Sequence, residues 1–187
     1  MRRTLLALTA ALALLGPTTL AVAASLPQAA NPRISVPNSL GGLRVGQAEA
    51  QAKVAWGSGR GKCEKRAGGF GFCEYGSSVG SAGSARIEFR NGKVAGASIR
   101  AGVDAKGSQS VSAARALMEF KTSGGIGIGS PFNKLKAAYP KGEMVGKPSE
   151  GSFFYVFETP GGHFMSFSML GTSKRIYQIG LSFSREA

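Results

Sequence analysis

The sequence predicts an α+β fold of two tandem repeats, each with short helices packed on one face of an antiparallel sheet. Three observations carry that expectation. The string Gly41-Gly42-Leu43-Arg44-Val45-Gly46 returns as Gly124-Gly125-Ile126-Gly127-Ile128-Gly129, 83 residues later and in the same frame. Each copy runs into about ten residues of helical spacing that end on an aromatic, Trp56 or Tyr139. Alternating apolar and polar runs then follow. Glycine, at 28 of 187 residues, is about twice its ordinary share and favours turns and strands over long helices.

Taken in order, the chain opens on a targeting signal. Met1-Arg2-Arg3 is basic, residues 4–15 are an apolar run, Gly16-Pro17 breaks it, and Ala21-Val22-Ala23 supplies small residues for a peptidase. Residues 1–24 therefore read as a secretory signal peptide, the alternative being an uncleaved anchor. No Cys stands near the cleavage point to carry a lipid, and no later stretch is apolar for long enough to span a membrane. Residues 25–40, rich in Pro, Asn and Ser, form a lead-in.

The first repeat is placed at 41–102. Ala48, Ala52, Ala55 and Trp56 line one helical stripe, so Trp56 is a core anchor rather than a ligand platform. Strands are expected at about 62–66, 70–75, 85–90 and 93–100, the last two joined by the hairpin signal Asn91-Gly92. A hairpin centred on Gly68 sets Cys63 opposite Cys73. In an oxidising compartment that geometry favours a disulfide over a reactive thiol.

A connector spans 103–123, in which 113–120 reads as a helix or 117–121 as a strand. The second repeat covers 124–185. Ser130 is a candidate N-cap, with Pro131 opening a helix on which Phe132, Leu135 and Tyr139 share a face. Strands are expected at about 152–158, 163–170 and 175–183. Met165, Phe167 and Met169 alternate with Ser166 and Ser168, the pattern of a sheet with one buried and one open face.

This tandem of Gly-rich turn, short helix, aromatic and closing hairpin resembles the β-lactamase inhibitory protein family and the related small lipoproteins of outer-membrane assembly. The matching positions are Gly46, Trp56-Gly57, Cys63, Cys73 and Ala85 to Ile99, then Gly129 and Tyr139. The resemblance implies helical pairs packed on sheets and a concave sheet surface that grips a target enzyme. The second copy lacks the Cys pair, and the lipoproteins' lipid-bearing Cys is missing.

Catalytic materials are few. There is one His and one Asp, and two Cys cannot build a four-Cys zinc site. Gly76-Ser77-Ser78-Val79-Gly80 matches a nucleophile elbow, with Asp104 and His163 following in hydrolase order. The elbow needs a helix after it, and here a Ser/Gly loop and a strand follow. Gly125, Gly127 and Gly129 precede a helix but match neither phosphate-binding fingerprint. His163, alone, reads as an edge residue rather than a metal ligand. No cofactor and no metal are expected.

Charge is the extreme number. Against 10 acidic residues stand 23 basic ones, for a net +13, or +11 once Arg2 and Arg3 are removed. Arg60, Lys62, Lys65 and Arg66 cluster on one hairpin, and Arg86, Arg90, Lys93 and Arg100 on the next. Alternation sets Arg86 and Arg90 opposite Ile87 and Phe89, so the open face is expected to be cationic. Phe153-Phe154-Tyr155-Val156-Phe157 interrupts the alternation and marks either a central strand or an exposed aromatic patch.

The expected function is a secreted or cell-envelope, non-catalytic binding module, with Phe154, Tyr155, Arg86 and Arg90 on the partner surface. Inhibition of a secreted or periplasmic enzyme is the sharpest form and follows from the resemblance. The alternative is an envelope component that binds an anionic polymer by charge. Export and the lack of a basic-aromatic motif disfavour nucleic acid. A small hydrolase using Ser78 and His163 is the third reading.

Overall fold

The computed structural model describes residues 25–76, 83–102, 115–159 and 161–183. The expected signal peptide, Ser78 and Asp104 lie outside the described residues. In chain order come strands β1 (Arg33–Ser35) and β2 (Ser39–Leu40), helix α1 (Glu49–Ala55), strands β3 (Lys62–Lys65), β4 (Phe70–Gly76), β5 (Ser84–Arg90) and β6 (Lys93–Arg100), and helix α2 (Arg115–Met118). Strand β7 (Lys121–Thr122), helix α3 (Phe132–Ala138) and strands β8 (Glu143–Val145), β9 (Ser152–Glu158), β10 (His163–Leu170) and β11 (Ile176–Phe183) follow.

Eight strands make one continuous sheet in the order β3-β4-β5-β6-β11-β10-β9-β8, every neighbouring pair antiparallel. Two separate repeats, each with its own helix-covered sheet, are therefore not what the chain builds. The correction has a physical cause at β6 and β11. Ile99 faces Ile179 and Ala97 faces Leu181 across that join. Separate sheets would leave these two strands as unpaired apolar edges, which pairing removes.

The helices are also a smaller part of the fold than expected. α1 and α3 have seven residues each and α2 four. From α1 and α3 only Ala52 and Leu135 are fully buried. Much of the cover over the sheet's buried face comes from short strands and irregular chain instead: Ile34, Leu40, Leu43, Trp56, Phe120, Ile126 and Ile128 are all in the core. A second, three-stranded sheet, β2-β1-β7, carries some of them, its central strand pairing antiparallel with β2 and parallel with β7. Short two- and three-residue strands escaped the sequence because period-2 patterning needs more residues to register.

Trp56 is fully buried, donates from its indole nitrogen to Gly41 O at 3.1 Å, and meets Tyr75 and Phe120 edge to face. Ser130 does not cap α3. Pro131 takes the capping position, and Ser130 Oγ accepts instead from Gly127 N at 3.1 Å. Asn91 and Gly92 both have positive φ, as the tight turn between β5 and β6 requires. Cys63 and Cys73 pair directly across β3 and β4 and form a disulfide.

Candidate functional site

Strand alternation divides the eight-stranded sheet into two faces. Cys73, Tyr75, Ile87, Ile99, Ile179, Leu181, Phe167, Phe153 and Tyr155 point into the core. The register places three rows on the other, open face. One runs Val145, Phe154, Ser168, Gln178, Arg100, Ser84. The next runs Glu143, Val156, Ser166, Gly180, Ser98, Arg86, Glu74, Lys62. The third runs Glu158, Phe164, Ser182, Gly96, Glu88, Phe72, Glu64.

These rows give the face a shape. In the two longer rows its middle strands, β6, β11 and β10, present only Gly and Ser, apart from Phe164 at one end, and in the shortest row they present Ser168, Gln178 and Arg100. The floor is tight as well as low. A Cβ on Gly180 would sit 3.1 Å from Ser166 Oγ, and one on Gly96 would sit 3.2 Å from Leu181 O. The depression here holds about 180 Å³ and is lined by Arg86, Glu88, Ser98, Ser166, Gln178 and Ser182 among others. That is below the several hundred Å³ of an ordinary small-molecule site.

One wall is polar and aromatic. Arg86 lies over the Phe72 ring at 4.4 Å, and Arg66 lies over the same ring at 4.7 Å. Arg86 also pairs with Glu74 at 3.6 Å and with Glu88 at 3.2 Å, the latter contact lacking the alignment of a hydrogen bond. Arg90 lies over Phe70 at 5.4 Å. The other wall is apolar, with Phe154 39% and Val145 48% exposed.

The expected partner residues separate. Phe154, Arg86 and Arg90 reach the open face, whereas Tyr155 does not. Its ring is buried on the core side against Phe132 and Phe157, and its hydroxyl donates to Tyr139 O at 3.0 Å. In the aromatic run, alternation holds after all: Phe153, Tyr155 and Phe157 go in, Phe154 and Val156 out. Phe72, Ser98 and Gly180 escaped notice. The faces of β4 and β5 are aligned only by the register that pairs Cys73 with Ile87 and Phe72 with Glu88, which neither strand's own pattern states.

The open face is also less cationic than expected. Lys62, Arg66, Arg86, Arg90, Lys93 and Arg100 share it with Glu64, Glu74, Glu88, Glu143 and Glu158. Its charges nearly cancel.

His163 opens β10, with its backbone N–H donating to Thr159 Oγ1 at 3.1 Å. It lines a separate cavity of about 550 Å³ with Arg44, Pro37, Asn38 and Thr159. Among the described residues no helix is long and apolar enough to cross a membrane.

No protein-family model matches the chain, and no curated protein does. Among solved structures, it is similar to an extracellular protein containing a SCP domain from Bacillus anthracis str. Ames, at 9% identity and a TM-score of 0.45. It is also similar to a cysteine-rich secretory protein from Staphylococcus aureus subsp. aureus Mu50, at 8% identity and a TM-score of 0.41. Each match covers 76% of this chain, which spans 44% of the length of either one. Likeness this slight carries no functional argument. The fold itself corrects the resemblance drawn from the motifs: that resemblance implies helical pairs packed on sheets, whereas the described residues form one eight-stranded sheet with two seven-residue helices that each bury a single side chain fully. The motifs behind that resemblance are local. Gly46 and Gly129, at φ 81° and 83°, are turn glycines that many folds require.

Proposed function

We propose that the protein is a secreted, non-catalytic module that binds another protein on the open face of its eight-stranded sheet. Secretion is supported by the signal-like first 24 residues and by the Cys63–Cys73 disulfide. The binding reading rests on one observation: a floor of Gly and Ser residues lies between the Phe72–Arg86 stack and the exposed Phe154 and Val145. Aromatic and Arg anchors beside a surface that admits close approach are the make-up of a protein interface. The near balance of charge suits a protein of mixed charge, and the small volume of the depression disfavours a metabolite. Inhibition of an enzyme loses its support with the motif resemblance and is not part of the reading.

The test is capture of binding proteins from the native culture medium by the immobilised mature chain, followed by hydrogen-exchange mapping of the complex. The reading expects retention at moderate salt and added protection in β5, β6, β10 and β11. Protection confined to α3 and the turns around it would contradict it.

A further inference from the structure

The chain's positive charge has to sit elsewhere than on the open face, and the structure shows where. Residues 120–142 and 171–183 contain no Asp or Glu. They are brought together by the backbone. Phe132 N donates to Lys174 O at 2.8 Å, Ile176 N donates to Ser130 O at 3.0 Å, and Pro131 bridges Arg175. β7 joins the same surface, since a Cβ on Gly124 would sit 3.9 Å from Ala138 Cβ at the end of α3. β1 adds Arg33, the register partner of Lys121.

The result is a belt of Arg33, Lys121, Lys134, Lys136, Lys141 and Lys174, all exposed. No ion pair among the described residues engages any of the six. Arg175, beside them, is committed to Gly129 O at 2.8 Å. Two like charges at paired strand positions repel, yet the fold places Arg33 against Lys121.

We propose that this belt docks an anionic, phosphate-bearing polymer of the cell envelope, leaving the open sheet face turned outward. Three features select that occupant. The cations are mostly lysines, point charges suited to neutralising phosphates without a fixed bidentate geometry. They are strung over β1, β7, α3 and the β10–β11 turn, a track that a flexible chain can follow. Among the described residues the exposed large apolar side chains, Val54, Phe70, Met144, Val145 and Phe154, lie outside it, so none of them supplies here the apolar insertion that holds a protein to a lipid surface. The inference stands independently of what the open face binds.

The test measures binding of the mature protein to poly(glycerol phosphate) across a salt series. Two triple variants remove the same charge: Lys134→Gln/Lys136→Gln/Lys174→Gln in the belt, and Arg44→Gln/Arg60→Gln/Lys65→Gln outside it. Far-ultraviolet circular dichroism checks that both remain folded. The proposal expects the belt variant to bind about tenfold or more weakly at physiological salt, with a shallower salt dependence. The other variant should stay within about twofold of the wild type, as expected where charges act mainly within a Debye length. Equal losses in the two variants would overturn it by showing that net charge alone acts. So would an unchanged belt variant, or wild-type binding as tight to vesicles of equal parts phosphatidylcholine and phosphatidylglycerol at matched phosphate.

Discussion

The Arg86 guanidinium lies 4.4 Å from the centre of the Phe72 ring, on the side of the sheet that faces away from the core. Phe72 is nevertheless only 7% exposed, because Arg66 covers the ring as well. The ring therefore holds two cations in place at one wall of the open face.

Replacing Phe72 with Leu keeps an apolar side chain and removes the ring. Exposed cation–π contacts are worth about 0.5–1 kcal/mol each. Urea titration of Phe72→Leu should show a loss of about 1 kcal/mol. Affinity for a protein held by the open face should fall further than stability does, because Arg86 and Arg66 lose their common support.

Tyr155 offers the contrasting case. Its hydroxyl donates to Tyr139 O at 3.0 Å beneath the sheet. Tyr155→Phe should cost about 1 kcal/mol of stability, the ordinary worth of one such bond, and leave partner binding unchanged. Denaturant unfolding and a binding titration on the same preparation check both halves.

The disulfide closes a span of 10 residues between Cys63 and Cys73 and ties down β3, whose four residues are all exposed. Cys63→Ser/Cys73→Ser should lose about 2–3 kcal/mol on the chain-entropy account. Amide exchange should rise first in β3, which has no buried side chain of its own.

Tyr75 carries the alkaline limit. Burial raises its hydroxyl pKa above the ordinary value of 10.0. Above that value the unfolded chain gives up this proton while the folded chain keeps it. The unfolded state then binds fewer protons, and stability falls as pH rises. The stabilising contribution is complete below about pH 10 and is lost as pH climbs through the folded-state value. Thermal melts across the alkaline range should show that decline, and Tyr75→Phe should flatten it.

The sequence makes the long strands legible and the assembly illegible, for a reason visible at β6 and β11. Seven of the expected strands fall within a residue or two of the observed ones, because each has enough alternating positions to reveal its period. Nothing in either strand's own pattern states that Ile99 will face Ile179. That pairing turns the expected pair of sheets into one. The same limit applies to the open face. Alternation within β5 correctly sets Arg86 and Arg90 opposite Ile87 and Phe89. It cannot show that Glu74, Glu88 and Glu64 come from neighbouring strands or the same strand to cancel their charge. Tyr155 faces the core rather than the partner surface expected of it, because five successive apolar residues hide which parity points inward. Helix α3 decides it, its Phe132 ring packing edge to face on Phe153 and Tyr155.

The most direct measurement fills the floor of the open face. Ser98 lies between Gly180 and Arg86, half-exposed, with no core contact to lose. Ser98→Trp should leave the melting temperature close to that of the wild type and weaken binding of the captured protein, by isothermal titration, by about tenfold or more. Wild-type affinity in a folded Ser98→Trp protein would contradict the claim that this face is where the partner binds.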